Sequence, residues 1–243
     1  MRRILILWPV ALILLAAAWL SGQVAAQGVD PTPTPPIYRY RYYVPFVMRP
    51  ITTTQEFRRT ESWQTWQIIS AHQDYQSMLA GVFSGAFEMY PANVAHGATA
   101  GNRMYRAEKA FLFFDTSAIP PDADVISATL ELAECWSVAA VVPFTVEFYR
   151  TPALPPLTNA DWLNYGGAPV ATLSPAQCGV WGAPITTNVE LDPGSIVKGG
   201  MTRYAVITDR IRLGLAPEWG TSEVVEFKPD LLTVQYVQHP TRR

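Results

Sequence analysis

The sequence predicts an all-β sandwich, and three observations support this fold class. Short runs of residues alternate between apolar and polar, which is the pattern of half-buried strands. Proline, glycine and asparagine separate these runs at intervals of roughly a dozen residues, as in sandwich domains. Only 16% of the residues are charged and 21 are prolines, a balance that suits strands and loops.

The clearest strand signals lie in residues 111–134, FLFFDTSAIPPDADVISATLELAE. Residues 111–114 are apolar on both faces, which predicts a central strand covered on both sides. Residues 128–133 alternate apolar with polar or small side chains, which predicts a strand with one face in the core. The prolines and aspartate at 120–122 form a turn between them, so the stretch is predicted to be a hairpin.

Further strands are predicted at 144–149, 185–191, 204–208, 211–215, 224–227 and 231–237. The DPGS run at 192–195 predicts one short helical turn that continues to Val197. Turn residues dominate 81–106 and 151–182, so we expect loops and short strands there. The spacing in residues 51–90 fits a helix and a strand equally well.

The N-terminus has the features of a signal peptide, predicted over residues 1–26. A basic Met1-Arg2-Arg3 precedes an apolar run at 4–20, and Val24-Ala25-Ala26 supplies small residues for cleavage after Ala26. The protein is therefore expected to be secreted and to reside at the extracellular cell surface. The alternative is an uncleaved membrane anchor, because the apolar run is close to the minimum length of a spanning helix.

Residues 27–50 are predicted to link the signal peptide to a β-sandwich domain at 51–240. The DPTPTPP run favours extended polyproline II structure, which makes it a spacer. The segment IYRYRYYVPFVMRP follows, and it is a candidate assembly strand that pairs with the sheet edge of a neighbouring molecule. The alternative is that it docks on its own domain. The candidate residues are Tyr38, Tyr40, Tyr42, Val44 and Phe46.

The two cysteines, Cys135 and Cys178, are expected to form a disulfide because an exported protein folds in an oxidising compartment. Such a bridge stabilises a fold by roughly 3 to 4 kcal/mol. The alternative, a nucleophilic thiol, needs a partnered histidine, and none of His72, His96 and His239 lies in a recognisable motif.

Known catalytic signatures are missing from the sequence, so we expect a protein that is not an enzyme. It has no HExxH, no paired-cysteine metal motif and no phosphate-binding glycine loop. Asp122 and Asp124 flank a turn, but they lack the glycine and the closing acid of a calcium loop. No cofactor is expected, although structural calcium held by loop carbonyls stays open. The net charge of −2 gives no case for nucleic-acid binding.

Four aromatic residues in glycine-rich and proline-rich stretches are candidates for carbohydrate binding. Sugar rings stack on flat aromatic side chains, and tryptophan and tyrosine lose little entropy in doing so. The alternative is that these residues close the ends of the sandwich. The candidates are Trp162, Tyr165, Trp181 and Trp219, whereas Trp136 is assigned to core or disulfide packing.

Several of these segments resemble the DNRLRE domain family of secreted bacterial and archaeal proteins, which overlaps a group of carbohydrate-binding modules. The resemblance implies a non-catalytic jelly-roll β-sandwich of two antiparallel sheets, usually appended to surface proteins or polysaccharide-active enzymes. It spans most of residues 55–238. The family's central tryptophan-containing pair is absent here, so no binding residue is transferred. The matching segments are FLFFD (111–115), SAIP (117–120), DVISATLEL (124–132), VELDPGSIV (189–197) and the strand at 229–236.

Together these features predict a secreted module that binds or scaffolds extracellular polysaccharide. Its expected partners are polysaccharide or cell-surface proteins. The alternative is a structural subunit that self-associates into a filament or matrix by strand addition through residues 37–48.

Overall fold

The computed structural model describes residues 50–70, 75–80, 85–100, 104–138 and 143–239. The predicted signal peptide, the spacer and the assembly-strand residues 38–46 lie outside this described part. Within it, no helix is long and apolar enough to cross a membrane. The strands are β1 (Ile51–Ser70), β2 (Gly85–Glu88), β3 (Ala92–Thr99), β4 (Met104–Asp115), β5 (Asp124–Val138), β6 (Val146–Arg150), β7 (Ala171–Leu173), β8 (Gly179–Val180), β9 (Ile185–Leu191), β10 (Met201–Thr208) and β11 (Ser222–Gln238).

Two short α-helices and three 3₁₀ turns complete the described structure. They are α1 (Tyr75–Leu79), α2 (Asp209–Leu213) and the 3₁₀ turns Asn159–Leu163, Pro175–Gln177 and Pro193–Ser195. The last of these confirms the predicted helical turn, because Asp192 accepts a hydrogen bond from the amide of Gly194 at 3.0 Å and caps it.

Strand β1 takes part in two layers, which makes the fold an all-β sandwich as predicted. Residues 51–58 pair with β11, and from Arg59 onward β1 pairs with β4, with a register shift between Arg59 and Glu61. One layer has the order β1–β11–β5–β9, and the other has the order β1–β4–β10–β6–β7. Strand β3 pairs with both β11 and β4 and links the layers a second time. In the part of the chain that the structure describes, all strand pairs are antiparallel except β5 with β8, so the sheet is mixed.

The predicted strands in residues 111–134 are present, but the predicted hairpin is wrong. Strand β4 pairs with β1, β3 and β10, whereas β5 pairs with β11, β8 and β9. The connection crosses from one layer to the other because Ile119 and Ala123 are buried in the core between them. Alternation reveals which face of a strand is buried, and it does not reveal which strand is the neighbour.

The two faces of β4 pack in two different clusters, which confirms the prediction of a strand covered on both sides. Ala110, Leu112 and Phe114 lie in the main core with Leu130 of β5. On the other face, Phe111 and Phe113 pack with Ala153, Leu157 and Ala205. Each fully buried phenylalanine contributes roughly 1.5 to 3 kcal/mol relative to an exposed one.

The strand predicted at 211–215 is wrong, since this segment begins inside helix α2. Thr208 ends β10 and its hydroxyl accepts a hydrogen bond from the amide of Ile211 at 3.2 Å, which caps the helix start. Gly214 then ends the helix with φ of 66°. The cap residues therefore override the weak alternation of the segment.

The two strands predicted at 224–227 and 231–237 are one strand, β11. Pro229 lies between them, and the register with β5 shifts on both sides of it. These irregularities accommodate a residue that has no amide hydrogen to donate. The strands predicted at 185–191 and 204–208 are confirmed as β9 and as part of β10. In the undecided stretch 51–90, β1 takes the strand form.

Candidate functional site

The structure does not gather the four candidate aromatic residues on one surface. Trp162 is buried, with 1% of its surface exposed, and Tyr165 lies partly buried close by. Trp219 is 46% exposed and stacks on Tyr105, which packs against the same small cluster as Trp162. Trp181 is 73% exposed and contacts Trp136. Two separate regions are therefore candidate sites, a pocket beside Trp162 and the turn that carries Trp181.

The pocket is closed on one side by the 3₁₀ turn Asn159–Leu163. Thr158 and Asp161 form a capping box at its start, in which the Thr158 amide donates to Oδ2 of Asp161 at 2.7 Å. This turn lays Trp162 over the outer face of β4, where its indole Nε1 donates to the carbonyl of Leu79 at 3.2 Å. Trp162 is thus held from two sides and serves as a wall of the pocket.

Lys109 lies at the base of the pocket, on the outer face of β4. Its Nζ donates a hydrogen bond to the carbonyl of Trp162 at 2.8 Å. The same nitrogen lies 3.9 Å from the ring centroid of Trp162 and 4.5 Å from that of Tyr165, a cation–π arrangement with two rings. Only 1% of the residue is exposed, and this burial lowers the pKa of Lys109 to about 7.

A second cation, Arg212 of helix α2, lies at the edge of the pocket. Its Nε and one terminal nitrogen donate to Glu147 at 2.6 and 3.0 Å, and this bonding raises the pKa of Arg212. Tyr149 also donates to Glu147, at 2.8 Å. Burial and this hydrogen bond to the carboxylate both raise the pKa of Tyr149 above its ordinary value.

The space between these groups has a volume of about 300 Å³. This is at the lower end of the roughly 300 to 1,000 Å³ that small-molecule sites occupy. Its lining combines two cations, two aromatic rings and several apolar side chains. The lining residues are Gln76, Leu79, Ala80, Lys109, Trp162, Leu163, Tyr165, Ile211, Arg212, Leu213 and Gly214.

Trp181 projects from a tight turn over residues 180–183. The amide of Ala183 donates to the carbonyl of Val180 at 2.9 Å, and Gly182 supplies the φ of 83° that the turn requires. Gly179 is needed at the base of the turn, since a Cβ there would lie 2.1 Å from the carbonyl oxygen of Ala183. The turn therefore fixes the backbone and leaves the tryptophan ring outside.

The base of this turn is attached to β5 in three ways. Cys135 and Cys178 form the predicted disulfide. Strand β8 pairs in parallel with β5, where Trp136 lies opposite Gly179. The ring of Trp136 then meets that of Trp181 edge to face, with 4.5 Å between centroids, and its Nε1 donates to Glu226 at 3.1 Å. Trp181 is thus exposed but rigidly supported. Trp136, predicted to pack in the core or against the disulfide, is partly buried and contacts Trp181 and Glu226.

Two buried polar arrangements were not anticipated from the sequence. Lys109 lies on the same face of β4 as Phe111 and Phe113. The alternation of residues along the strand could therefore have shown a cation on a covered face. His96 is buried and bonds Glu223 at 3.0 Å and the carbonyl of Leu215 at 2.9 Å. No local signal reveals this second pair, because 127 residues separate its members.

The described residues contain no group of three histidine, cysteine, aspartate or glutamate side chains that could hold a metal ion. Asp122 and Asp124 are both exposed at the turn, and Asp124 bonds His239 at 2.8 Å. Searches of protein-family models and of curated proteins found no match to this chain. The candidate functions therefore rest on the geometry of the pocket and of the Trp181 turn.

Proposed function

We propose that this chain is a secreted, non-catalytic surface module that binds or scaffolds extracellular polysaccharide. The proposal agrees with what the resemblance to DNRLRE domains implies. The observation that carries it is the position of Trp181, a large aromatic ring that is 73% exposed at the tip of a braced turn.

The exposed ring of Trp181 is available to a ligand, and burying its apolar surface would contribute several times RT to binding. The turn and the disulfide hold the backbone at Trp181, and Trp136 contacts its ring, so less ordering is required when a ligand binds. A flat ring of this kind stacks on the apolar C–H face of a sugar. Val180 and Ile185, also exposed beside it, extend the contact for a chain of sugars.

Binding to insoluble polysaccharides tests the proposal directly. The secreted chain would be mixed with cellulose, chitin, starch granules and a purified extracellular polysaccharide matrix, and the bound fraction measured by sedimentation. We expect Trp181→Ala to lose binding at least ten-fold and Trp181→Phe to keep most of it, because phenylalanine preserves an aromatic face. Leu154→Ala is the matched control, since Leu154 is an exposed apolar residue on another loop.

Equal binding by Trp181→Ala and the unaltered chain would overturn the assignment of Trp181. Absence of binding to every polysaccharide tested would count against the function itself. Both variants change an exposed side chain, so their folding is expected to be unaffected and the comparison stays interpretable.

A second candidate function, assembly by strand addition, is favoured by one observation. Strand β9 pairs with β5, and among the described residues its other edge has no ladder partner. An open edge can accept a strand from another molecule, here residues 37–48. Size-exclusion chromatography of the secreted chain with and without residues 27–50 tests this idea. Larger species that require the segment would support assembly, and identical monomer elution would exclude it.

A further inference from the structure

We propose that the pocket beside Lys109 binds a compact organic carboxylate with an apolar ring. This site is separate from the Trp181 turn, with which it shares no residue, and it does not depend on polysaccharide binding.

The charges around the pocket favour an anion. Among the described residues that line it, Lys109 and Arg212 are cationic and no side chain is acidic. Arg212 is paired with Glu147, whereas Lys109 has no carboxylate within ion-pair distance in the described part of the chain. A buried charge without a counter-charge is unfavourable, and a bound carboxylate would supply what is missing. The lowered pKa of Lys109 is consistent with this missing partner.

Hydrogen-bond capacity points the same way. An ammonium group has three N–H donors, and the described structure shows one, from Lys109 to the carbonyl of Trp162. A guanidinium has five donors, and Arg212 uses two of its nitrogens on Glu147. Donors on both side chains are therefore left for a ligand. A carboxylate accepts several such bonds through its two oxygens, so it suits a pocket that both cations line.

The remaining lining determines the body of the ligand. Leu79, Leu163, Ile211 and Leu213 surround the cations with apolar surface, and the rings of Trp162 and Tyr165 add flat faces. Such walls suit an apolar ring better than a polyhydroxylated one, because hydroxyl groups would lose water without gaining partners. The volume of about 300 Å³ accommodates a single ring rather than a chain.

Calorimetric titration of the secreted chain tests the proposal, with benzoate and cyclohexanecarboxylate as probes. We expect both carboxylates to bind at least ten-fold more tightly than benzamide, their uncharged counterpart, and benzylamine to show no binding. Inorganic phosphate separates a general anion site from a carboxylate site, and we expect it to bind more weakly than benzoate. Equal affinity for benzoate and benzamide, or tighter binding of phosphate, would overturn the assignment.

Two variants locate the site. Lys109→Met keeps the length and apolar stem of the side chain and removes the charge, and we expect it to lose benzoate binding at least ten-fold. Leu163→Trp fills the pocket from an exposed position without changing the core, and it should also abolish binding. If Lys109→Met fails to fold, benzoate binding by Leu163→Trp tests the location of the site on its own. Retained benzoate binding by a folded variant of either kind would exclude the pocket.

Trp181→Ala is the control that separates the two proposals. It should bind benzoate like the unaltered chain, because Trp181 contacts Trp136 and not the pocket lining. Loss of benzoate binding in Trp181→Ala would mean that the probe binds at the exposed turn, and it would overturn the pocket assignment while leaving the polysaccharide proposal intact.

Discussion

Trp162 and Trp181 come from equally turn-rich segments, yet the fold gives them opposite environments. Trp162 is 1% exposed and Trp181 is 73% exposed. The segment around Trp162 covers the outer face of β4, where Lys109 and the cluster of Phe111 lie. The segment around Trp181 ends in a turn that extends past the short strand β8. Local composition predicts a loop. The surface on which the loop packs decides whether its aromatic ring is buried, as at Trp162, or exposed to ligands, as at Trp181.

The two regions also differ in how their polar groups are satisfied. Around Trp162, a buried ammonium, a guanidinium and a carboxylate form hydrogen bonds within the protein. At Trp181 the ring is exposed to solvent. The Cys135–Cys178 disulfide anchors the nearby backbone, and Trp136 contacts the ring. Stability is therefore expected to depend on the first tryptophan and polysaccharide binding on the second.

Replacing each tryptophan by alanine should separate these roles, with the largest effect at Trp162. We expect Trp162→Ala to lower the free energy of unfolding by about 3 to 5 kcal/mol, because it opens a cavity beside buried Lys109. Trp181→Ala should stay within about 0.5 kcal/mol of the unaltered chain. Urea unfolding followed by circular dichroism measures both. Similar losses for the two variants would contradict the comparison.

Removing the disulfide should have the largest effect on stability in the Trp181 region. The bridge joins residues separated by 43 positions, so its loss frees a long loop in the unfolded chain. We expect the double variant Cys135→Ala, Cys178→Ala to lose roughly 3 to 4 kcal/mol of unfolding free energy. Thermal unfolding with and without reductant provides the measurement. The reductant should lower the unfolding temperature of the unaltered chain and leave that of the double variant unchanged. A lowered unfolding temperature in the double variant would show that the reductant does not act through this disulfide.

The pH dependence of stability should reveal Lys109. Its pKa is about 7 in the folded protein against an ordinary value of 10.5, so between these pH values the unfolded chain holds a proton that the folded one has released. Stability should therefore rise with pH above 7, by up to about 1.4 kcal/mol per pH unit. Urea unfolding between pH 7 and about 8.5 measures this before the tyrosines of the unfolded chain, whose ordinary pKa is 10, ionise.

Lys109→Met is the control for this pH dependence. It has no proton to release at this position, so its stability should rise less steeply over the same range than that of the unaltered chain. Parallel curves for the two proteins would show that burial leaves the pKa of Lys109 close to that of a free lysine.

The smallest expected effect concerns the backbone beneath Trp181. Gly182 has φ of 83°, and no atom lies within 4 Å of the place that a Cβ would take, so Gly182→Ala adds backbone strain without a clash. We expect a loss of about 1 kcal/mol in unfolding free energy. Gly166→Ala is the matched control, because Gly166 has equally open surroundings without a positive φ. An equal change in both variants would contradict the strained-turn explanation.

Many of the strands could be predicted, because alternation of apolar and polar residues shows which face of a strand is buried. The segment 185–191 became β9 with the same bounds, and residues 111–114 proved to be covered on both faces. The pairing partners could not be predicted in this way. Strands β4 and β5 follow each other in sequence and lie in different layers, because Ile119 and Ala123 of their connection are buried between them.

The sites show a similar division. The glycines and prolines of residues 151–182 predicted that the aromatic residues there lie in loops. In the structure, Trp162 lies in a 3₁₀ turn and Trp181 in a tight turn. The sequence could not show that Trp162 and Lys109, 53 positions apart, line one pocket, or that His96 and Glu223 are paired. Such contacts depend on which surfaces meet after folding.

By itself, the sequence determined the all-β class, most strand positions, the disulfide partners and the turn-rich character of the segment that carries Trp181. These follow from period-two patterning, an even cysteine count and glycine requirements, which act within a few residues or through a single pair. Only the tertiary structure decided the layer of each strand, the burial of Trp162 and the environment of Lys109. The reason is physical: burial and desolvation are set by neighbours that are distant in the chain, and no local pattern encodes them.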